Sequence, residues 1–237
     1  MSSNHSHSHV HDHHHQQHDH TVLGELFCHL PYAIFSVAFG LAILSFLSAI
    51  TIGQAVDPRL AKKGAKILFH SFHFMHLVFA SAGTLITFFR FSKSIPRALF
   101  VGVVSPSIFC MLSDAVLPYL GGRMLGVPMS FHICFVSELH NVLPFLLVGV
   151  LCGFVTRFGY DEQRPAHALT SHAAHIFVSS MASIFYLVSH GFTDWYTQIG
   201  LVFLFLVFAV VVPCTLSDVV VPMTIARMGR ANEKHTH

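Results

Sequence analysis

The chain has 237 residues, of which 53% are hydrophobic and only 10% charged, with a formal net charge of +2. Soluble domains carry about a quarter charged residues, so this composition describes an integral membrane protein resident in a lipid bilayer. The small net charge argues against nucleic acid as a partner.

Residues 1–20 hold nine of the 21 histidines: His5, His7, His9, His11, His13, His14, His15, His18 and His20. With almost no apolar side chain, this segment cannot bury a core and is expected to be disordered. Ser, Asp, Gln and Val interrupt the histidines, unlike a purification tag. The tract therefore reads as a natural metal-chelating tail, since neutral imidazole binds zinc, nickel, copper and cobalt. It does not read as a cleavable signal peptide, because no basic region leads into a short apolar core.

Six apolar runs follow, at 21–50, 65–89, 98–120, 128–155, 167–189 and 200–222. Each is near or above the ~20 residues that cross a bilayer as a helix. Polar or basic loops lie at 51–63, 90–97 and 156–166, a Gly-Gly-Arg turn at 121–123, and an interfacial turn containing Trp195 at 190–198. A polar, basic tail occupies 223–237. Of the 13 Lys and Arg, eight fall on the side of the membrane that holds both termini and five on the other, which favours cytoplasmic termini.

Two stretches recur. Cys110-Met-Leu-Ser113-Asp114-Ala-Val-Leu-Pro118 and Cys214-Thr-Leu-Ser217-Asp218-Val-Val-Val-Pro222 both read C-x-L-S-D-x-x-x-P. An ionisable residue at membrane depth carries a large desolvation cost and marks function by default. Proline has no N–H for the carbonyl four residues earlier, so Pro118 and Pro222 should free the carbonyls of Asp114 and Asp218. Upstream, His73-x-x-His76 matches His172-x-x-His175, and eleven residues after the first histidine of each pair come Thr84 and Ser183. That spacing is close to three helical turns and places them on one face. Further upstream, Glu25-Leu and Leu30-Pro31 match Glu138-Leu and Leu143-Pro144, with Gly40 and Gly153 nine residues after each proline.

The same order in both halves predicts an all-α membrane domain of two inverted three-helix repeats, about 21–120 and 128–222. Three crossings per repeat invert the second copy, the architecture of secondary transporters with a midplane site. The broken helices of such folds would correspond to Pro31, Pro118, Pro144 and Pro222.

Carboxylate and imidazole together suit a divalent first-row metal: zinc, nickel, cobalt or manganese. The candidate ligands are His73, His76, His172, His175, Asp114 and Asp218, with Cys110 and Cys214 as softer donors. Glu25 and Glu138 are candidates for ligands where the ion enters, or for proton acceptors. His29, His70, His132, His140 and His190 do not recur and read as helix-bridging groups. Ala80-Ser81 and Ser179-Ser180 read as close helix packing. Ser113 and Ser217 suit ligation or helix bridging equally. Cys28, Cys134 and Cys152 read as buried apolar side chains, and the five cysteines as free thiols.

No H-E-x-x-H, Walker or C-x-x-C sequence occurs, which argues against a zinc protease, an ATPase and a thiol relay. The expectation is thus a non-enzymatic permease or exporter, with a transition metal as cargo and no tightly bound cofactor. A homo-oligomer is compatible with so small a membrane domain. A membrane haem protein and a proton-coupled carrier of a small solute are the rival readings. In general outline, a His-rich segment with six spans and intramembrane His and Asp is similar to nickel/cobalt and manganese efflux permeases, although no motif transfers residue by residue.

Overall fold

The computed structural model describes residues 22–159 and 165–235, with side chains described over 23–156 and 172–229. In chain order the helices are α1 (Val22–Gly53), α2 (Pro58–Phe91), α3 (Ile95–Met111), α4 (Leu117–Met124), α5 (Cys134–Ser137), α6 (Leu139–Gly159), α7 (Pro165–Ser189), α8 (Ile199–Thr215) and α9 (Val221–His235). A π-helical turn, Leu112–Val116, joins α3 to α4, and another, Leu216–Val220, joins α8 to α9. There is no strand among the described residues.

Six stretches are long and apolar enough to cross a membrane: Leu23–Gly53, Pro58–Phe91, Ile95–Met124, Leu139–Thr156, His172–Ser189 and Trp195–Gly229. The protein is a multi-pass integral membrane protein. Helices suit this solvent because every backbone bond closes within the segment. Their outer faces carry exposed Phe35, Phe46, Phe100 and Leu204, as lipid contact requires.

Helix α2 stands at the centre, packed on α7, α6 and α3, while α1 lies along α7 and α8. Its start is well specified: Asp57 caps it by accepting from the Arg59 N–H at 2.8 Å, and Pro58 occupies the first turn. Small residues let the helices approach. A Cβ at Gly40 would stand 2.5 Å from Ile184 of α7, and one at Gly149 would stand 2.7 Å from the Val78 carbonyl of α2.

The fourth crossing starts at Leu139, not at 128. Residues 128–133 are not helical, because their polar backbone groups bond to the end of α7 instead: Ser130 N–H to the His190 carbonyl at 3.0 Å, and His132 N–H to the Tyr186 hydroxyl at 3.1 Å. Gly121 to Arg123 form no turn; they finish α4. A Cβ at Gly121 would stand 2.3 Å from Phe205, and one at Gly122 1.9 Å from the Met129 sulfur, so these glycines serve packing. Helices α1 and α6 run through Pro31 and Pro144 without a break, so only Pro118 and Pro222 interrupt α-helical geometry as expected. The polar C-terminal segment continues as helix to His235. Cys28 and Cys152 are exposed, contrary to expectation. The histidines of the N-terminal tail, and residues 160–164 of the loop between the fourth and fifth crossings, lie outside the described residues.

Candidate metal centre

The two recurrent motifs become the two π turns. Each adds one residue to a helical turn, so the Leu117 N–H bonds to the Leu112 carbonyl and the Val221 N–H to the Leu216 carbonyl. This moves the carbonyl stranded by proline. In π register, Pro118 stands where the partner of the Ser113 carbonyl belongs, and it has no hydrogen to donate. Side chains from the other half of the bundle fill the gap. Ser183 donates to the Ser113 carbonyl at 2.9 Å, and Thr84 donates to the Ser217 carbonyl at 3.0 Å. The orphaned oxygens that attract hydroxyls are therefore those of the serines, one residue earlier than the sequence alone implies.

The turns hold both aspartates in the bundle interior, Asp114 at 0% and Asp218 at 2% exposure. Asp114 Oδ2 accepts from His73 Nδ1 at 2.9 Å and His76 Nδ1 at 2.7 Å. Asp114 Oδ1 accepts from Ser113 Oγ at 2.7 Å and Ser179 Oγ at 3.0 Å. Ser179, read from the sequence as packing, thus belongs to the polar network. Asp218 Oδ2 accepts from His175 Nδ1, while His172 Nδ1 stands 3.9 Å away. Asp218 Oδ1 is buried without a hydrogen-bond partner.

Between the two carboxylates, His76 Nε2 meets His175 Nε2 at 2.6 Å. An ionised carboxylate only accepts, so it draws the imidazole hydrogen onto Nδ1 and leaves the lone pair on Nε2. Two such lone pairs at this separation require a positive centre between them, either a proton or a metal ion. Cys214 Sγ lies 3.7 Å from His76 Nε2, and His76, His175 and Cys214 have ligand atoms within 4.8 Å of one another. Cys110, also buried, interacts with His76. A carboxylate behind each ligating histidine is the usual outer support of a metal site, because it sets the tautomer and the ring orientation. Tetrahedral zinc with bonds of about 2.0–2.1 Å sets two nitrogens about 3.3 Å apart. A metal ion bound there would therefore part the rings by about 0.7 Å from their present 2.6 Å.

Of the remaining sequence candidates, Glu138 forms part of a second group with residues that sequence reasoning set aside. Its Oε1 lies 3.2 Å from His70 Nε2 and 3.8 Å from His132 Nε2. His70, His132 and Cys134 also have ligand atoms within 4.8 Å of one another. Burial, with Lys66 and His70 close by, holds the His132 ring below its ordinary pKa, so it is neutral at pH 7. Burial pushes the Cys134 thiol up, and its interactions with His70 and His73 outweigh that, leaving it lower than an ordinary thiol. His190 stacks beside His132 with ring centroids 5.7 Å apart, and burial pushes it down to about 4.

Glu25 stands half-buried in the first turn of α1, and its carbonyl accepts from His29 Nδ1 at 2.7 Å. His29 faces His172 edge-on, with ring centroids 5.2 Å apart. His140 is exposed.

The chain matches no protein-family model, no characterised protein and no solved structure. The similarity to metal efflux permeases therefore gains no support from these comparisons.

Proposed function

We propose that this protein is a secondary transporter for a divalent transition metal. The observation that carries the reading is the meeting of His76 and His175 across the bundle, each backed by a buried aspartate, beside the Cys214 thiol. Imidazole and thiolate donors favour zinc, cobalt and nickel over manganese as cargo. His76, His175, Cys214 and Cys110 would bind the ion; Asp114 and Asp218 would orient the rings. His73 and His172 would lie on either side of that site along the path. Metal bound through Nε2 displaces whatever proton sits between the rings, which provides a route for coupling to a proton gradient.

Inverted repeats fit this reading. Span one packs on span five and span four on span two. Each half lends a hydroxyl to the stranded carbonyl of the other's π turn. Alternating access in such folds comes from one repeat rocking against the other around a fixed site. The basic loops favour cytoplasmic termini, which would let the histidine tail buffer metal on that side.

A bis-histidine haem is the weaker reading. The macrocycle would have to fit between two rings whose nitrogens are 2.6 Å apart. We read the protein as a carrier.

The test is total cellular metal, measured by elemental analysis during zinc, nickel, cobalt and manganese challenge. Cells would express wild type or an Asp114→Asn/Asp218→Asn variant at equal membrane levels. One metal should change with the wild type, its sign giving the direction, and the variant should abolish the change. Unchanged content for every metal, with both proteins well expressed, would refute the reading.

A further inference from the structure

His70, His132 and Cys134, which stand around Glu138, are absent from the repeat pattern, and the central site makes no use of them. The group lies on the side of the bundle opposite the chain's N-terminus, where α6 begins, α7 ends and residues 125–138 cross between spans. The non-helical segment 128–133, pinned by its bonds to His190 and Tyr186, brings His132 and Cys134 against His70 on α2.

Two buried atoms call for an occupant. His70 Nε2 and His73 Nε2 are both shielded from solvent, and neither has a hydrogen bond of good geometry, although the Cys134 thiol stands close to both rings. His70 Nε2 is within ion-pair distance of Glu138, out of hydrogen-bond alignment. Leaving such nitrogens unsatisfied is costly, because burial removes the water that would otherwise bond them. Around them stand a thiol, a second imidazole and a carboxylate, which is a donor set for a cation and not for an anion or an organic solute. The group is also reachable: His70, His132 and Glu138 side chains are 15%, 20% and 24% exposed.

We infer that His70, His132, Cys134 and Glu138 form a second metal site, which captures a zinc-like divalent ion at this mouth of the transport path. The inference rests on the transporter reading for its role but not for its chemistry. Two nitrogens, one sulfur and one carboxylate oxygen complete a tetrahedron. Nitrogen and sulfur ligands stand about 3.3–3.6 Å apart around zinc, so His70, His132 and Cys134, whose ligand atoms lie within 4.8 Å of one another, close by up to about 1.5 Å on loading. The Cys134 thiol gives up its proton to water as it ligates. The onward route is short: Cys134 also interacts with His73, which is bonded to Asp114, which holds His76 of the central pair.

The experiment is a cobalt(II) titration of the full-length protein in detergent, read through thiolate-to-cobalt charge-transfer absorption. The histidine tail contains no cysteine, so it binds cobalt silently in this band. Wild type should show absorption from two thiolate sites. Cys134→Ser should remove the outer share and leave the remainder, whereas Cys110→Ser/Cys214→Ser should do the reverse. His132→Ala alters a partly exposed ring outside the spans, and melting temperature and gel filtration would verify its fold. It should weaken the Cys134-dependent share by about tenfold or more. An unchanged band in Cys134→Ser, or an unchanged saturation midpoint in His132→Ala, overturns the outer site. A band untouched by the double cysteine variant counts against the central site alone and leaves the outer one standing.

Discussion

The two aspartate pockets share a backbone plan and differ in how fully their carboxylates are satisfied. Asp114 accepts from two imidazoles and two hydroxyls. Asp218 accepts from one imidazole, with the second at 3.9 Å and one oxygen unpartnered. The difference traces to single residues. Ser179, one turn before Ser183, supplies Asp114 Oδ1; at the same place one turn before Thr84 stands Ala80, which has no hydroxyl. His73 is buried, whereas the His172 side chain is 30% exposed. One pocket is built as a closed network, and the other keeps acceptor capacity in reserve.

Removal of the two carboxylates should break this comparison most sharply. Asp114→Ala leaves two imidazoles and two hydroxyls without their acceptor inside the bundle, a loss of about 3–5 kcal/mol. Asp218→Ala forfeits one imidazole partner and should cost on the order of 1–3 kcal/mol. Denaturant unfolding in mixed micelles measures both; equal losses would mean the pockets are energetically alike. The order should reverse for transport relative to stability. Asp218→Asn should weaken apparent metal affinity by about 10- to 100-fold while barely moving the melting temperature. A large stability loss with affinity intact would make Asp218 a structural residue.

Ser183→Ala strands the Ser113 carbonyl, Thr84→Val leaves the Ser217 carbonyl only the longer bond from Ser105 Oγ at 3.4 Å, and each should cost about 1–2 kcal/mol. Matching values would sharpen the view that the π turns are equivalent and that the asymmetry lies in the carboxylates. The smallest effect is a gain. Ala80→Ser offers Asp218 the hydroxyl it lacks and should stabilise the protein by about 1 kcal/mol, and Ser179→Ala should lose a similar amount. If Ala80→Ser destabilises, the vacancy at Asp218 is shape-limited and not merely donor-limited.

Much of the centre was legible in the residues. A twice-written C-x-L-S-D-x-x-x-P located both π turns, because proline leaves a helical carbonyl without a donor wherever it falls. The paired histidines at i and i+3 pointed to the aspartates, because helical spacing sets a common face. The meeting of His70, His132 and Cys134 beside Glu138 was not legible, for a matching reason. They do not recur, and nothing in their local spacing shows that residues 128–133 leave the helix and fold back on α7.

Composition and periodicity by themselves determined the membrane class, the six crossings and the residues with chemistry to offer, since these depend on transfer from water to lipid and on the pitch of a helix. Only the tertiary structure decided which nitrogen meets which. His76 and His175 are 99 positions apart, and their approach to 2.6 Å follows from the glycines, serines and prolines that set how closely α2, α7 and the two π turns can pack.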